Sequence, residues 1–86
     1  MRIETIFKRS HAKMPFQIKK ITGAILKAMD SVKNGTLNDA EDIAAQVYKS
    51  LLERQKKIPN YVPNVEEIQD LVEQTLMKSE FLDVAK

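Results

Sequence analysis

Residues 7–21 read Phe7-Lys8-Arg9-Ser10-His11-Ala12-Lys13-Met14-Pro15-Phe16-Gln17-Ile18-Lys19-Lys20-Ile21. The stretch passes from extended chain into a helix. Upstream, Ile3, Thr5 and Phe7 alternate with Glu4, Ile6 and Lys8, the period of two that marks a strand, with Ile6 as the exception. Two short extended segments are expected, Ile3 to Ser10 and Lys13 to Gln17, joined by a turn at Ser10-His11-Ala12. That turn lacks the glycine that tight hairpins favour. Pro15 suits a strand end.

From Ile18 the period changes to 3.6. Ile18, Ile21, Ala24, Ile25, Ala28, Met29 and Val32 form one stripe, which predicts a helix from about Ile18 to Lys33. Gly23 interrupts it, and Asn34-Gly35 gives a stop. A second helix is expected from Asn38 or Asp39, with Asn38 and Glu41 as a capping-box variant. Its inner face is Ala40, Ile43, Ala44, Val47, Tyr48, Leu51 and Leu52. A loop holding Pro59, Asn60, Tyr61 and Pro63 follows.

The second informative stretch is Val65-Glu66-Glu67-Ile68-Gln69-Asp70-Leu71-Val72-Glu73. Asn64 caps it, and Glu66, Glu67 and Asp70 sit in the first turns, where carboxylates favour the helix dipole. Val65, Ile68, Leu71, Val72, Thr75, Leu76 and Met77 are expected to face inward. Ser79 would cap a fourth helix starting at Glu80. The pattern is still running at Lys86, which points to a piece of a longer protein. The fold class expected is α+β and mostly helical, a short β-hairpin lid capping a bundle of about four helices, in one domain over residues 1–86.

The chain has 86 residues, no cysteine and one histidine. Disulfides, thiolate metal sites and a cysteine nucleophile are therefore excluded. No apolar run reaches the length of a membrane span and no signal-peptide pattern opens the chain, so a cytoplasmic location is expected. Formal net charge is +2, but it is unevenly placed. Residues 1–20 carry six cations against Glu4 alone, and residues 58–85 carry six acids against Lys78 alone. A nucleic-acid module usually shows stronger overall basicity, so a small anionic ligand is the better fit.

The cations gather where a helix begins. The first N–H groups of a helix are unpaired and its dipole is positive there, so Lys8, Arg9 and Lys20 beside that start suggest a phosphate site. A hairpin folded over the helix would bring all three towards one point. Neighbouring strand residues point to opposite faces, however, so Lys8 and Arg9 share a ligand only where the strand twists or ends. Gln17 can cap the helix or bond a phosphate or sugar. Ile6 and Phe7 offer apolar surface to a base. Gln69 stands one position past Ile68 and is placed to face a ligand. Each phosphate contact from a charged donor contributes about 1.5–3 kcal/mol. The chain has two glycines, twelve apart, so no glycine-rich phosphate loop is present. His11 lies in a turn, and the serines lack a nucleophile-elbow context, so catalysis is not expected.

The ordered set Lys8-Arg9, Phe16, Lys20-Ile21 and Val65 to Glu73 resembles the ATP-cone, a regulatory nucleotide-binding domain found mainly at the N-terminus of ribonucleotide reductases. Leu76-Met77 and Asp83-Val84-Ala85-Lys86 are similar to the family as well. The sequence departs from it at Ser10-His11, where the family usually has Asp-Gly. The resemblance implies a hairpin over a small helical bundle. It implies phosphate contacts from Lys8, Arg9 and Lys20, adenine along Ile6 and Phe7, and a nucleotide lined by Gln17, Ile21 and Gln69. It implies ATP or dATP as allosteric ligand, with Mg2+ accompanying the triphosphate and Glu73 as a candidate for indirect contact. The expected partners are adenine nucleotides and the rest of a reductase with its subunits, with no membrane and no nucleic acid. ATP would keep the reductase active and dATP would turn it off by changing subunit assembly. Two alternatives stay open: a cone of another parent, a transcriptional repressor or a kinase, and a nucleotide-independent helical module that binds protein or nucleic acid.

Overall fold

The computed structural model describes residues 3–85; Arg2, counted among the N-terminal cations, and Lys86, where the pattern stops, lie outside it. The elements run β1 (Thr5–Phe7), β2 (Lys13–Pro15), α1 (Ile18–Val32), α2 (Leu37–Lys57), α3 (Val65–Lys78) and α4 (Leu82–Ala85). The fold is α+β and mostly helical, as its sequence predicts. The strands are shorter than the alternation suggests. They form an antiparallel hairpin in the register Thr5↔Pro15, Ile6↔Met14 and Phe7↔Lys13.

The turn closes without glycine. The Lys8 N–H donates to the Ala12 carbonyl at 2.8 Å and the His11 N–H to the Lys8 carbonyl at 2.9 Å. His11 takes φ 67°, the left-handed position of a three-residue hairpin loop, where glycine is the unstrained choice.

Helix boundaries follow local hydrogen bonding. At the end of α1, Lys33 rather than Gly35 adopts the left-handed cap, and the Asn34 N–H returns to the Met29 carbonyl at 2.9 Å. Gly35 is needed one step later. At φ 106° it lies so close to Met29 that a Cβ there would stand 2.4 Å from the sulfur. The second helix starts earlier than expected. Thr36 is its N-cap, and Thr36 with Asp39 completes a reciprocal capping box, in place of Asn38 with Glu41. Asn64 caps α3 by accepting the Glu67 N–H at 2.8 Å. Ser79 ends α3 instead of opening α4. Glu80 at φ 67° turns the chain, and α4 is a single turn beginning at Leu82.

Helix α2 is the centre of the domain. Helices α1 and α3 each pack against it and make little contact with each other. One apolar cluster joins Ile25 and Met29 to Ala40, Ile43, Ala44, Leu76 and Val84. A second joins Val47 and Leu51 to Ile3, Ile68 and Leu71. Met77, expected inside, is 56% exposed. Arg54 and Glu67 form an ion pair between α2 and α3. The Tyr61 hydroxyl is buried beside them, and burial pushes this phenol up to about 12, with Glu67 adding to the effect and Arg54 opposing it.

Candidate functional site

Because α1 and α3 pack on α2 and scarcely on each other, a cleft of about 500 Å3 remains between them. Small-ligand sites commonly span roughly 300–1,000 Å3. Helix α1 lines it with Gln17, Lys20, Ile21, Ala24, Ile25 and Ala28, one face at helical spacing. Helix α3 answers with Val65, Ile68, Gln69, Val72, Glu73 and Leu76. The hairpin closes one end through Ile6, Met14, Pro15 and Phe16, and Val84 and Ala85 of α4 close the other. The lining is mostly apolar. Its polar members are Gln17 and Lys20 on one wall and Gln69 and Glu73 on the other.

The three long helices differ at their starts. The first donors of α2 are met by Thr36 and Asp39, and those of α3 by Asn64 with Glu66 and Glu67 in the first turn. At α1 the N-cap residue Gln17 makes no side-chain capping bond, and no acid stands in the first turn. The unpaired N–H groups there are left for a ligand or water, with Lys19 and Lys20 adding positive charge.

A second cleft of about 300 Å3 is lined by Phe7, Lys8, Arg9, His11, Asn64, Val65 and Glu66. It adjoins the first, and Val65 is a wall of both. The alternation along β1 explains the division, because Ile6 lines one cleft and Phe7 the other. The predicted site residues therefore separate into two groups. Ile6, Gln17, Lys20, Ile21 and Gln69 line the large cleft, while Phe7, Lys8 and Arg9 line the small one. The three cations do not meet in one cleft. Lys13 is occupied elsewhere, with its Nζ 5.9 Å from the centre of the Phe7 ring.

Sequence reasoning missed Met14, Ala24, Ala28, Val84 and Ala85 as cleft residues. At helical spacing, Ala24 and Ala28 read as core. Ile6 carried a usable signal, since an apolar residue on the otherwise polar face of β1 marks a second surface to be covered. Gly23 lies off the cleft-lining set, and a Cβ there would meet nothing within 4 Å. Among the described residues no group of three or more His, Cys, Asp or Glu side chains is placed to hold a metal ion. Among the same residues no helix is long and apolar enough to cross a membrane.

The family model of the ATP cone domain matches residues 4–86. The chain is also 47% identical, over 89 aligned positions, to a vitamin B12-dependent ribonucleoside-diphosphate reductase of Thermoplasma acidophilum. The match covers 98% of this chain and 11% of that protein, so the chain spans about a tenth of the length of the curated relative it matches.

Proposed function

The chain belongs to the ATP-cone domain family, and from this premise we propose that it is a regulatory domain that binds an adenine nucleoside triphosphate in the cleft between α1 and α3. One observation carries the reading: the cleft joins an uncapped, cation-bearing helix start to an apolar slot. The first suits phosphate and the second suits a base. Lys20 and the open N-terminus of α1 bind phosphate oxygens. Ile6 and Ile21 border the base. The Gln17 and Gln69 amides each carry a donor and an acceptor, the pair that an adenine edge requires. Lys8 and Arg9 offer further phosphate donors from the other side of β1. Mg2+ accompanies the triphosphate, bound to its phosphate oxygens.

The identity to a ribonucleoside-diphosphate reductase supports a role within such an enzyme, as one domain of a longer cytoplasmic chain. There ATP and dATP would set activity through subunit assembly. Regulation of this kind needs each ligand to favour a different state, since a ligand that binds two states equally shifts nothing. The domain itself acts as a sensor and not as a catalyst.

Calorimetric titration of the 86-residue chain with ATP, dATP and GTP, each with magnesium, tests this reading. Saturable binding of ATP and dATP but not GTP is expected. Failure of both adenine nucleotides to bind, or equal binding of GTP, overturns it.

A further inference from the structure

Tyr48, on α2, touches both ends of the hairpin. Its hydroxyl accepts the Ile3 N–H at 3.2 Å, just before β1. Its ring packs against Phe16, just after β2, with centroids 5.5 Å apart and planes tilted by 31°. The same two ends are joined where the Phe16 N–H donates to the Glu4 carbonyl at 2.9 Å. Ile3 is buried in the cluster against which Tyr48 and Phe16 pack. The tip of the hairpin is different, since Lys8 to Lys13 are all exposed. Between tip and base, the Phe7 N–H is bonded to the Pro63 carbonyl. The hairpin is thus gripped at its base by one side chain of the central helix.

That grip bears on the large cleft. Phe16 lines it directly, and Ile6 and Met14 reach it from paired positions of the hairpin. Tyr48 does not line it. We propose that Tyr48 is a positioning residue: it fixes the base of the hairpin so that Ile6, Met14 and Phe16 stand over the cleft, and ligand affinity depends on it without contact. The affinity part rests on the nucleotide reading of the cleft. The positioning part does not.

The test compares Tyr48→Phe and Tyr48→Ala with wild type. Amide hydrogen exchange is followed at Phe7, Lys8 and Phe16 in the hairpin and at Met29 and Val47 in the core, without ligand. ATP titration with magnesium is then run on each protein. Tyr48→Phe keeps the ring contact but leaves the buried Ile3 N–H without its acceptor. The expected result is faster exchange in the hairpin with core amides unchanged, and ATP affinity lower by roughly three- to tenfold. Tyr48→Ala loses both contacts and should weaken ATP further. Unchanged hairpin exchange in both variants overturns the proposal. So does faster exchange everywhere, which would make Tyr48 a general stability residue, and so does wild-type ATP affinity in both variants. If wild type binds no ATP, the nucleotide reading fails, and the exchange comparison alone decides whether Tyr48 holds the hairpin.

Discussion

Phe7 donates its backbone N–H to the Pro63 carbonyl at 2.9 Å, fastening β1 to the loop that leads into α3. Phe7 also bridges Asn64, the residue that caps α3. The hairpin is therefore attached to both walls of the cleft: by chain continuity to α1 and by this bond to the start of α3. Glu67, in the first turn of α3, is ion-paired to Arg54 of α2. Backbone and side-chain bonds together fix where the strand, the cap and the central helix stand.

Lys20 is exposed in the first turn of α1 and lines the large cleft. Lys20→Ala should weaken ATP binding by about 1.5–3 kcal/mol, roughly 10- to 150-fold, with little change in melting temperature. Lys27→Ala, further along α1 and away from both clefts, is the control. Equal affinity of the two variants in calorimetry would remove Lys20 from the phosphate site.

His11 holds a left-handed conformation that a Cβ disfavours. His11→Gly should stabilise the domain by about 0.5–1 kcal/mol, because relief of the strain exceeds the added freedom of the unfolded chain. Thermal denaturation reads this as a rise of a few degrees. A lower melting temperature would mean that the imidazole makes contacts worth more than the strain.

The two glycines should respond with opposite signs. Gly35→Ala combines φ 106° with a clash against buried Met29 and should cost about 3 kcal/mol. Gly23→Ala meets open space within α1 and should add about 0.5–1 kcal/mol through helix propensity. Urea denaturation of both variants checks the pair.

Tyr61 sets a dependence at high pH. Its folded value of about 12 lies above the ordinary 10, so the fold favours the protonated phenol. The associated stability is fully present below pH 10 and is lost as pH rises from 10 towards 12. Tyr61→Phe should remove the late step in tyrosinate absorbance and flatten the fall in stability over that window. An unchanged alkaline titration would show that another group causes it.

The helices were legible because their stripes are regular and long. Their ends were not. Asn38-x-x-Glu41 reads as the box, whereas Thr36 with Asp39 forms it; Leu37, 54% exposed, sits outside the apolar stripe that starts at Ala40 and so gives no sign of the earlier start. The apolar stripe marks where the buried face begins, not where the helix does. Ser79 was ambiguous, since serine fits both sides of a helix boundary. The cleft was harder to see. Ile21, Ala24, Ile25 and Ala28 form an ordinary inward face, and nothing in their spacing says that the facing helix is held off by α2. Gln69 stood out only because a polar residue follows Ile68 on that face. Lys8 and Arg9 line one cleft together, apart from Lys20, because β1 ends at Phe7 and alternation no longer governs the residues beyond it, an end that the pattern Ile3 to Ser10 does not show.

The separation of α1 from α3 has a mechanical meaning. Two levers stand on one shaft, α2, tied at one end by the hairpin and at the other by the α4 turn, with the cleft between them. An occupant of the cleft would touch both levers, the hairpin and the α4 turn at once. The α4 turn is itself bonded back to the α1–α2 corner, where Asn34 Nδ2 donates to Asp83 at 2.9 Å. Filling one slot would therefore stiffen the whole outline of the domain, including the exposed Leu82 on the α4 turn and Met77 near the end of α3. A neighbour resting on that outline would feel the occupant without touching it.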